Sequence, residues 1–512
     1  WAYLLMGNLY NQEKEYDTAE SYYKKSYSLN PEDPYLLNSY ATLEANRGNP
    51  DAAEKYFRET INVDAAYPNP YLGLSIHYMN TRKLPEASQI LEELFSVDVD
   101  TSDIRNQNIL REATKRYIAV QKELAADRFE NNMALIDGHR KQVERDHNCS
   151  IIIKEDPALE VVTARAELAW NHNRDHHVIR YRVTDRTRVP HLVAHELEHI
   201  ILEQDARAAG KQQRFAMTGA IKSRLINQYA GHAHTLKQRG FDSHRAGQFM
   251  TQIIEGLANQ LYNIPLDIII ENRLYQKYPE LRASQFVSVL ETHMTNVQIL
   301  QRNDIRQITP PDIHQNSNAF NCALDIAMEA LFQNRYPFSR PYRDQRYVKI
   351  LRAGENLYSI ATEYIGESSP AEEYSLVDEF ARELDLENWY QWIHQSGETE
   401  TAETSEENHG LKQKSPATIM YLLSALERFE NQPAHVISQT GMEIGMLGTT
   451  GIDYNDPDRK YTIKAFPGEQ FTGLQLLCIM YVAFQKTDPS LNTGLDFKNE
   501  YQTALTLYQN KK

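Results

Sequence analysis

A period of 34 residues runs through the first hundred positions and constrains the fold more than any other feature of the chain. Gly7, Ala41 and Ser75 fall in register, as do Ala19, Ala53 and Ala87, and the large residues Tyr23, Phe57 and Leu91 keep the same spacing. Tyr3, Leu37 and Tyr71 stand where the first helix of each unit would begin, and Pro31 ends the first unit. A two-helix unit of this length cannot bury its apolar side alone. Equal spacing of small and bulky positions therefore means stacked units, with small side chains where helices cross closely and large ones filling the neighbouring gap.

This pattern resembles the tetratricopeptide repeat over residues 1–103, as three units of 34, although Glu44 replaces the aromatic found at Tyr10 and Tyr78. The resemblance implies an N-terminal α-solenoid whose concave side holds a protein partner; a scaffold that only packs on the next domain is the alternative. Because the chain opens at Trp1 inside a repeat, further repeats ahead of it are expected. Tyr117, Val120 and Leu124, then Phe129, Met133 and Ile136, recur at steps of three or four, so residues 104–146 read as a helical cap and connector.

At 512 residues the chain has room for three or four domains. Its 54 Lys+Arg against 70 Asp+Glu give a net charge of −16, and no basic cluster supplies what phosphate-backbone binding needs, so no nucleic acid partner is expected. The apolar runs IMYLLSAL and LQLLCIMYVAF are too short or interrupted to span a bilayer. Cys149, Cys322 and Cys478 are far apart and odd in number, which fits neither a disulfide framework nor a thiolate metal site and points to a reducing, cytoplasmic setting.

Chemistry concentrates after Ser150. The run VIRYRV at 178–183 alternates as a half-exposed strand, and it is followed by VPHLVAHELEHIILEQ, a helix opened by Pro190 with an apolar stripe of Leu192, Val193, Leu197, Ile200 and Ile201. On it His195 and His199 lie four apart, so both imidazoles leave one face and can hold one metal ion, with Glu196 beside them. This HExxH string resembles the zincin signature. The residues after His199 do not continue as HxxGxxH, so the metzincin branch is excluded. Some seventy residues on, Asp267 and Glu271 are i and i+4 in the otherwise apolar NIPLDIIIENRL, where a carboxylate is costly unless paired or metal-bound.

Resemblance to gluzincins implies Glu271 as the third zinc ligand. The segment also resembles the N-x-x-x-D-x-x-I-N stretch of metallopeptidase-like domains found beside von Willebrand factor A modules, which implies Asp267 instead; Glu255 is a further alternative. The carboxylate that does not ligate is expected to hold a histidine ring. The resemblance implies a zinc-dependent peptidase in which Glu196 is the general base and a peptide lies along VIRYRV as on an edge strand, with Arg180 and Arg182 facing acidic side chains or guarding the edge. No oxyanion donor stands out among His232, His234, His244, Tyr262 and Arg273, and the polar stretch 207–255 is a candidate lid.

The remainder reads as helical. YVKILRAGENLYSIATEYIG at 347–366 resembles the opening of a LysM module, but the helix pattern that follows places it in the peptidase body. The acidic run GETETAETSEENH lies in a linker at 396–413, and Asp453, Asn455, Asp456 and Asp458 mark a turn, lacking the Gly and Glu of an EF-hand. The fold expected is mainly α with a small β component: a solenoid, an α+β zincin-like domain over 147–395 and a helical region over 414–512. A second functional reading is an interaction scaffold whose zincin-like domain is degenerate or carries only a structural metal.

Overall fold

The structure, a computed structural model, describes residues 1–157, 159, 164–183, 185–238, 243–366, 369–394, 416–450, 459–489, 491, 495 and 497–509. Three helical pairs come first: α1 (Ala2–Gln12) with α2 (Tyr16–Tyr27), α3 (Pro34–Arg47) with α4 (Pro50–Val63), and α5 (Asn69–Asn80) with α6 (Leu84–Phe95). The second helices start at Tyr16, Pro50 and Leu84, so the sequence period of 34 is also the structural one. Prolines open α3 and α4, where a missing N–H leaves nothing unpaired, and the Asp33 carboxylate caps α3 by accepting from the amides of Tyr35 and Leu36. Ala19, Ala53 and Ala87 are completely buried at the helix crossings.

Close approach between helices makes several glycines critical, Gly73 among them. A Cβ built on Gly73 would stand 2.5 Å from Phe57 Cε1, whereas one on Gly138 would meet nothing within 4 Å. Gly73→Ala is therefore expected to destabilise the chain by about 1–3 kcal/mol, the usual cost of overpacking, while Gly138→Ala stabilises it by roughly 0.5–1 kcal/mol through helix propensity. Urea unfolding of the two variants checks this; equal effects would mean that the α4–α5 crossing is looser than described.

Helices α7 (Ile104–Asp127) and α8 (Phe129–His147) continue the array, as the periodicity indicates. Tyr117 on α7 packs edge-on against Phe95 and Phe286, and one hydrophobic core runs without a break from the repeats into the body.

A three-stranded sheet follows, of β1 (Ile151–Glu155), β2 (Ala164–Glu167) and β3 (His177–Tyr181), in the order β1-β3-β2. β3 runs parallel to β1 and antiparallel to β2. The expectation that VIRYRV is an edge strand is thus corrected: both edges of β3 are occupied. Period-2 alternation reports how a strand's faces are covered, not whether its edges are paired. The Arg180 guanidinium is held by Glu167 (2.8 Å) and Asp156 (3.1 Å), and Arg182 lies beyond the strand end, so neither lines a peptide-accepting edge. With Arg174 and Arg165 also on it, Glu167 is kept ionised down to about 2, although burial alone pushes the other way.

The body continues with α9 (Val189–Ala208), β4 (Gln213–Ala216), α10 (Gly219–Gln228), α11 (Ala230–Gln238), α12 (Ser243–Lys277), α13 (Arg282–Leu300), α14 (Asn303–Ile308), α15 (Pro311–Leu331), α16 (Val348–Thr362), α17 (Glu372–Glu383) and β5 (Gln391–His394). The candidate lid is largely a packed part of this body: β4 pairs with β5, Phe215 stacks on Tyr390, and α10 and α11 pack on α12. The LysM-like opening forms α16, which packs closely on α15. A second core belongs to α18 (Pro416–Arg428), α19 (Ala434–Thr450), α20 (Gly473–Thr487) and α21 (Lys498–Gln509), with a small ladder of β6 (Lys460–Tyr461) and β7 (Phe471–Thr472); Cys478 is buried in it. The acidic linker and the Asp453–Asp458 turn lie outside the described residues. Among the described residues no helix is long and apolar enough to cross a membrane.

Glu373, on α17 where it packs against α12, is 3% exposed, and burial pushes its carboxyl up to about 7 despite the nearby Arg273. Between 4.5, its ordinary value, and about 7 the folded chain holds a proton that the unfolded chain has released. Stability is therefore lost as pH rises through this window. Glu373→Gln should lose less stability than the wild type between pH 5 and pH 8, by up to about 3 kcal/mol in urea titrations; parallel losses would remove Glu373 as the cause.

Candidate metal centre

The HExxH helix is α9, and its burial extends beyond the apolar stripe that the sequence shows. Every residue from Val189 to Ile200 is buried. The sheet covers one side of α9, and α8, α12 and α13 cover the others. Five polar side chains, His191, His195, Glu196, Glu198 and His199, are thereby removed from water, and each desolvated polar group costs free energy unless something pairs with it.

For the three histidines the pairing comes from α12, which runs antiparallel to α9. Successive positions four apart on a helix turn by about 40°, so His191, His195 and His199 fan gradually across one face. Asp267 and Glu271 meet that fan in reverse order. Glu271 faces His191, with Oε2 to Nε2 at 2.9 Å, and also His195, with Oε1 to Nδ1 at 3.0 Å. Asp267 Oδ1 lies 3.2 Å from His195 Nε2 and 3.6 Å from His199 Nε2. From α13, Gln285 Nε2 donates to Glu271 Oε2 at 2.7 Å and to the Glu271 carbonyl at 2.8 Å.

Three of these atoms have the spacing of a metal-ligand set. Zinc bonds of about 2.0–2.2 Å in a tetrahedron put ligand atoms roughly 3.4 Å apart along each edge. The His195 Nε2 to His199 Nε2 separation is 3.1 Å, and the two contacts to Asp267 Oδ1 are 3.2 and 3.6 Å. Two imidazoles and a carboxylate are also the donor chemistry that zinc accepts. Glu271 holds the other nitrogen of His195, so a proton on Nδ1 leaves Nε2 with its lone pair free for a ligand bond.

Electrostatics agree with a cation-binding pocket. Burial resists a charge on His195, but Asp267 and Glu271 outweigh it and hold this imidazole well above its usual range. Burial opposes charge on both carboxylates too, and the histidines nevertheless keep Asp267 and Glu271 below theirs. Without another cation nearby, a proton on His195 supplies the positive charge that these buried carboxylates require.

Glu196 points to a different partner. Its Oε2 accepts the amide of Ala166 on β2 at 2.7 Å. Burial pushes its carboxyl up to about 8, and a dication among the adjacent imidazoles would favour the ionised form that a base requires. Since the Ala166 amide turns to Glu196 and not to β3, Glu196 sits on the outer edge of β2, which among the described residues pairs with no further strand.

His195, Glu196, His199, Asp267 and Glu271 are thus brought together as the sequence indicates, with Asp267 on the two Nε2 atoms and Glu271 behind His195. Glu255 is elsewhere on α12, paired with Lys222. Of the oxyanion candidates, Tyr262 donates to Glu203 at 3.0 Å and the His232 ring contacts the Ile308 carbonyl at 2.8 Å, so both are engaged in the body; the His244 side chain lies outside the described residues. Residues that the sequence reading passed over are Gln285, Ala166 through its amide, and His191. Only His191 leaves a local signal, standing four before His195. Among the described residues the groups able to hold a metal are His195, His199 and Asp267, and, around the other nitrogen of His195, His191, His195 and Glu271.

Comparison with known protein families matches residues 2–33 to the tetratricopeptide repeat. No curated protein and no solved structure matches the chain. The repeat match suggests that the N-terminal helices take part in protein–protein interaction.

Proposed function

We propose that the chain is a zinc-dependent metallopeptidase whose N-terminal repeats recruit or orient a protein substrate. The observation that carries this reading is the convergence of His195 Nε2, His199 Nε2 and Asp267 Oδ1 at tetrahedral-edge distances beside a buried Glu196. His195, His199 and Asp267 would hold the zinc, which when bound would supply a water of lowered pKa and a Lewis acid for the scissile carbonyl. Glu196, ionised, would take a proton from the water as its oxygen bonds to the carbonyl carbon, and would return it to the leaving amine as the C–N bond breaks. The Ala166 amide fixes the Glu196 carboxylate through Oε2, and Glu271 fixes the tautomer of His195. A peptide extended along β2 would pass Glu196, which no peptide along β3 can do.

One observation favours the second reading, a repeat-based scaffold with a structural metal. His195, Glu196, His199 and Asp267 are each at most 5% exposed, and structural zinc sites are closed. Zinc content of the purified chain, measured beside cleavage of casein and of a mixed peptide library, separates the two. Stoichiometric zinc with zinc-dependent cleavage supports the peptidase. Stoichiometric zinc with no cleavage of either substrate leaves the scaffold.

A further inference from the structure

We propose that His191 is a positioning residue for the metal centre, acting through Glu271 on His195. The inference rests on the zinc reading above and goes one layer beyond the ligands. His191 is completely buried, its Nε2 lies 2.9 Å from Glu271 Oε2, and among the described residues its Nδ1 has no hydrogen-bond partner. A buried imidazole with one nitrogen unpaired is costlier than an apolar side chain of the same size, so packing does not account for it. What the imidazole adds is a donor to Glu271.

That carboxylate collects three side-chain donors: His195 Nδ1 at 3.0 Å on Oε1, and His191 Nε2 at 2.9 Å and Gln285 Nε2 at 2.7 Å on Oε2. With both oxygens engaged, Glu271 cannot rotate away from His195, and the imidazole plane that aims Nε2 at Asp267 and His199 is held. The backbone supports the arrangement from the other side, since the His191 amide donates to Ser284 Oγ, whose hydroxyl donates to the Thr187 carbonyl. His191, Glu271 and His195 thus form a line of three groups ending at a ligand atom. Such outer partners typically alter metal affinity 10- to 100-fold.

The test is zinc affinity by chelator competition on the full chain, in wild type, His191→Phe and His191→Gln, with circular dichroism to confirm folding. Phe keeps the volume without a donor; the Gln amide can restore one near the position of Nε2. Zinc is expected to stay at one per chain throughout, with affinity at least tenfold weaker in the Phe variant and near wild type in the Gln variant. In a Glu271→Gln background, His191→Phe is expected to add little. If the Phe variant does not fold, His191→Asn, whose shorter amide does not reach Glu271, takes its place with the same expectation. Unchanged affinity in the variant lacking a donor overturns the inference. So do two zinc ions in wild type falling to one without His191, which would make it a ligand. Absence of zinc from wild type would remove the centre itself, a distinguishable result.

Discussion

Glu196→Gln is expected to keep zinc at one per chain while lowering peptide cleavage by roughly 10²–10⁴-fold, the usual contribution of a positioned general base. The substitution changes little else. The Gln side-chain oxygen can still accept the Ala166 amide, now 2.7 Å from Glu196 Oε2, so β2 and α9 should stay in place. Losing a buried carboxyl that burial holds near 8 also removes a desolvation cost, so the variant should be at least as stable as wild type. Zinc content, thermal unfolding and turnover of a fluorogenic peptide measure the three quantities. Cleavage that survives the substitution would show that Glu196 is not the base.

The second large effect separates the two carboxylates. Asp267→Asn is expected to abolish stoichiometric zinc, because it replaces an anionic ligand facing both His195 Nε2 and His199 Nε2 by a neutral amide. Glu271→Gln should retain zinc with affinity weakened about 10- to 100-fold, because Glu271 touches His195 only through Nδ1. Each substitution breaks a buried ion pair, at a cost of about 3–5 kcal/mol, so binding has to be measured on protein shown to be folded. The reverse ranking, with Glu271→Gln empty and Asp267→Asn loaded, would make Glu271 the ligand, as the gluzincin resemblance alone implies.

Those carboxylates illustrate where local pattern stops being informative. His195 and His199 were legible because four residues along one helix set the angle between their side chains. Asp267 and Glu271 were legible as a pair for the same reason, and their apolar neighbours made them conspicuous. Which of them reaches the Nε2 atoms depends on how far α12 has slid along α9, and no periodicity within either helix encodes that register. Glu255, equally acidic and on the same helix, ended beside Lys222.

Strand β3 makes the same point from the opposite side. The run was read correctly as a strand, but not as a half-exposed one: His177, Val178 and Ile179 are all buried, and its edges are filled by β1, parallel, and by β2, antiparallel. β2 contains ARAE, with two alanines and two charged residues, and carries no strong strand signal of its own. It is held by pairing with β3 and by Glu196. Arg180, set out as a substrate contact, is instead drawn into ion pairs with Glu167 and Asp156. His191 had the spacing to be noticed, but its value comes only from Glu271, eighty residues away.

By itself the sequence determined the repeat, the helices that carry the centre and the donor types they offer, because these follow from periods of 34, 3.6 and 2 that are complete within a short stretch of chain. The tertiary structure alone decided which carboxylate meets which imidazole nitrogen, which strand is the edge, and that Val189–Ile200 of α9 is buried on every side. Those are relations between segments distant in sequence, fixed by the packing of one continuous core and by the cost of leaving polar groups unpaired where the core removes them from water.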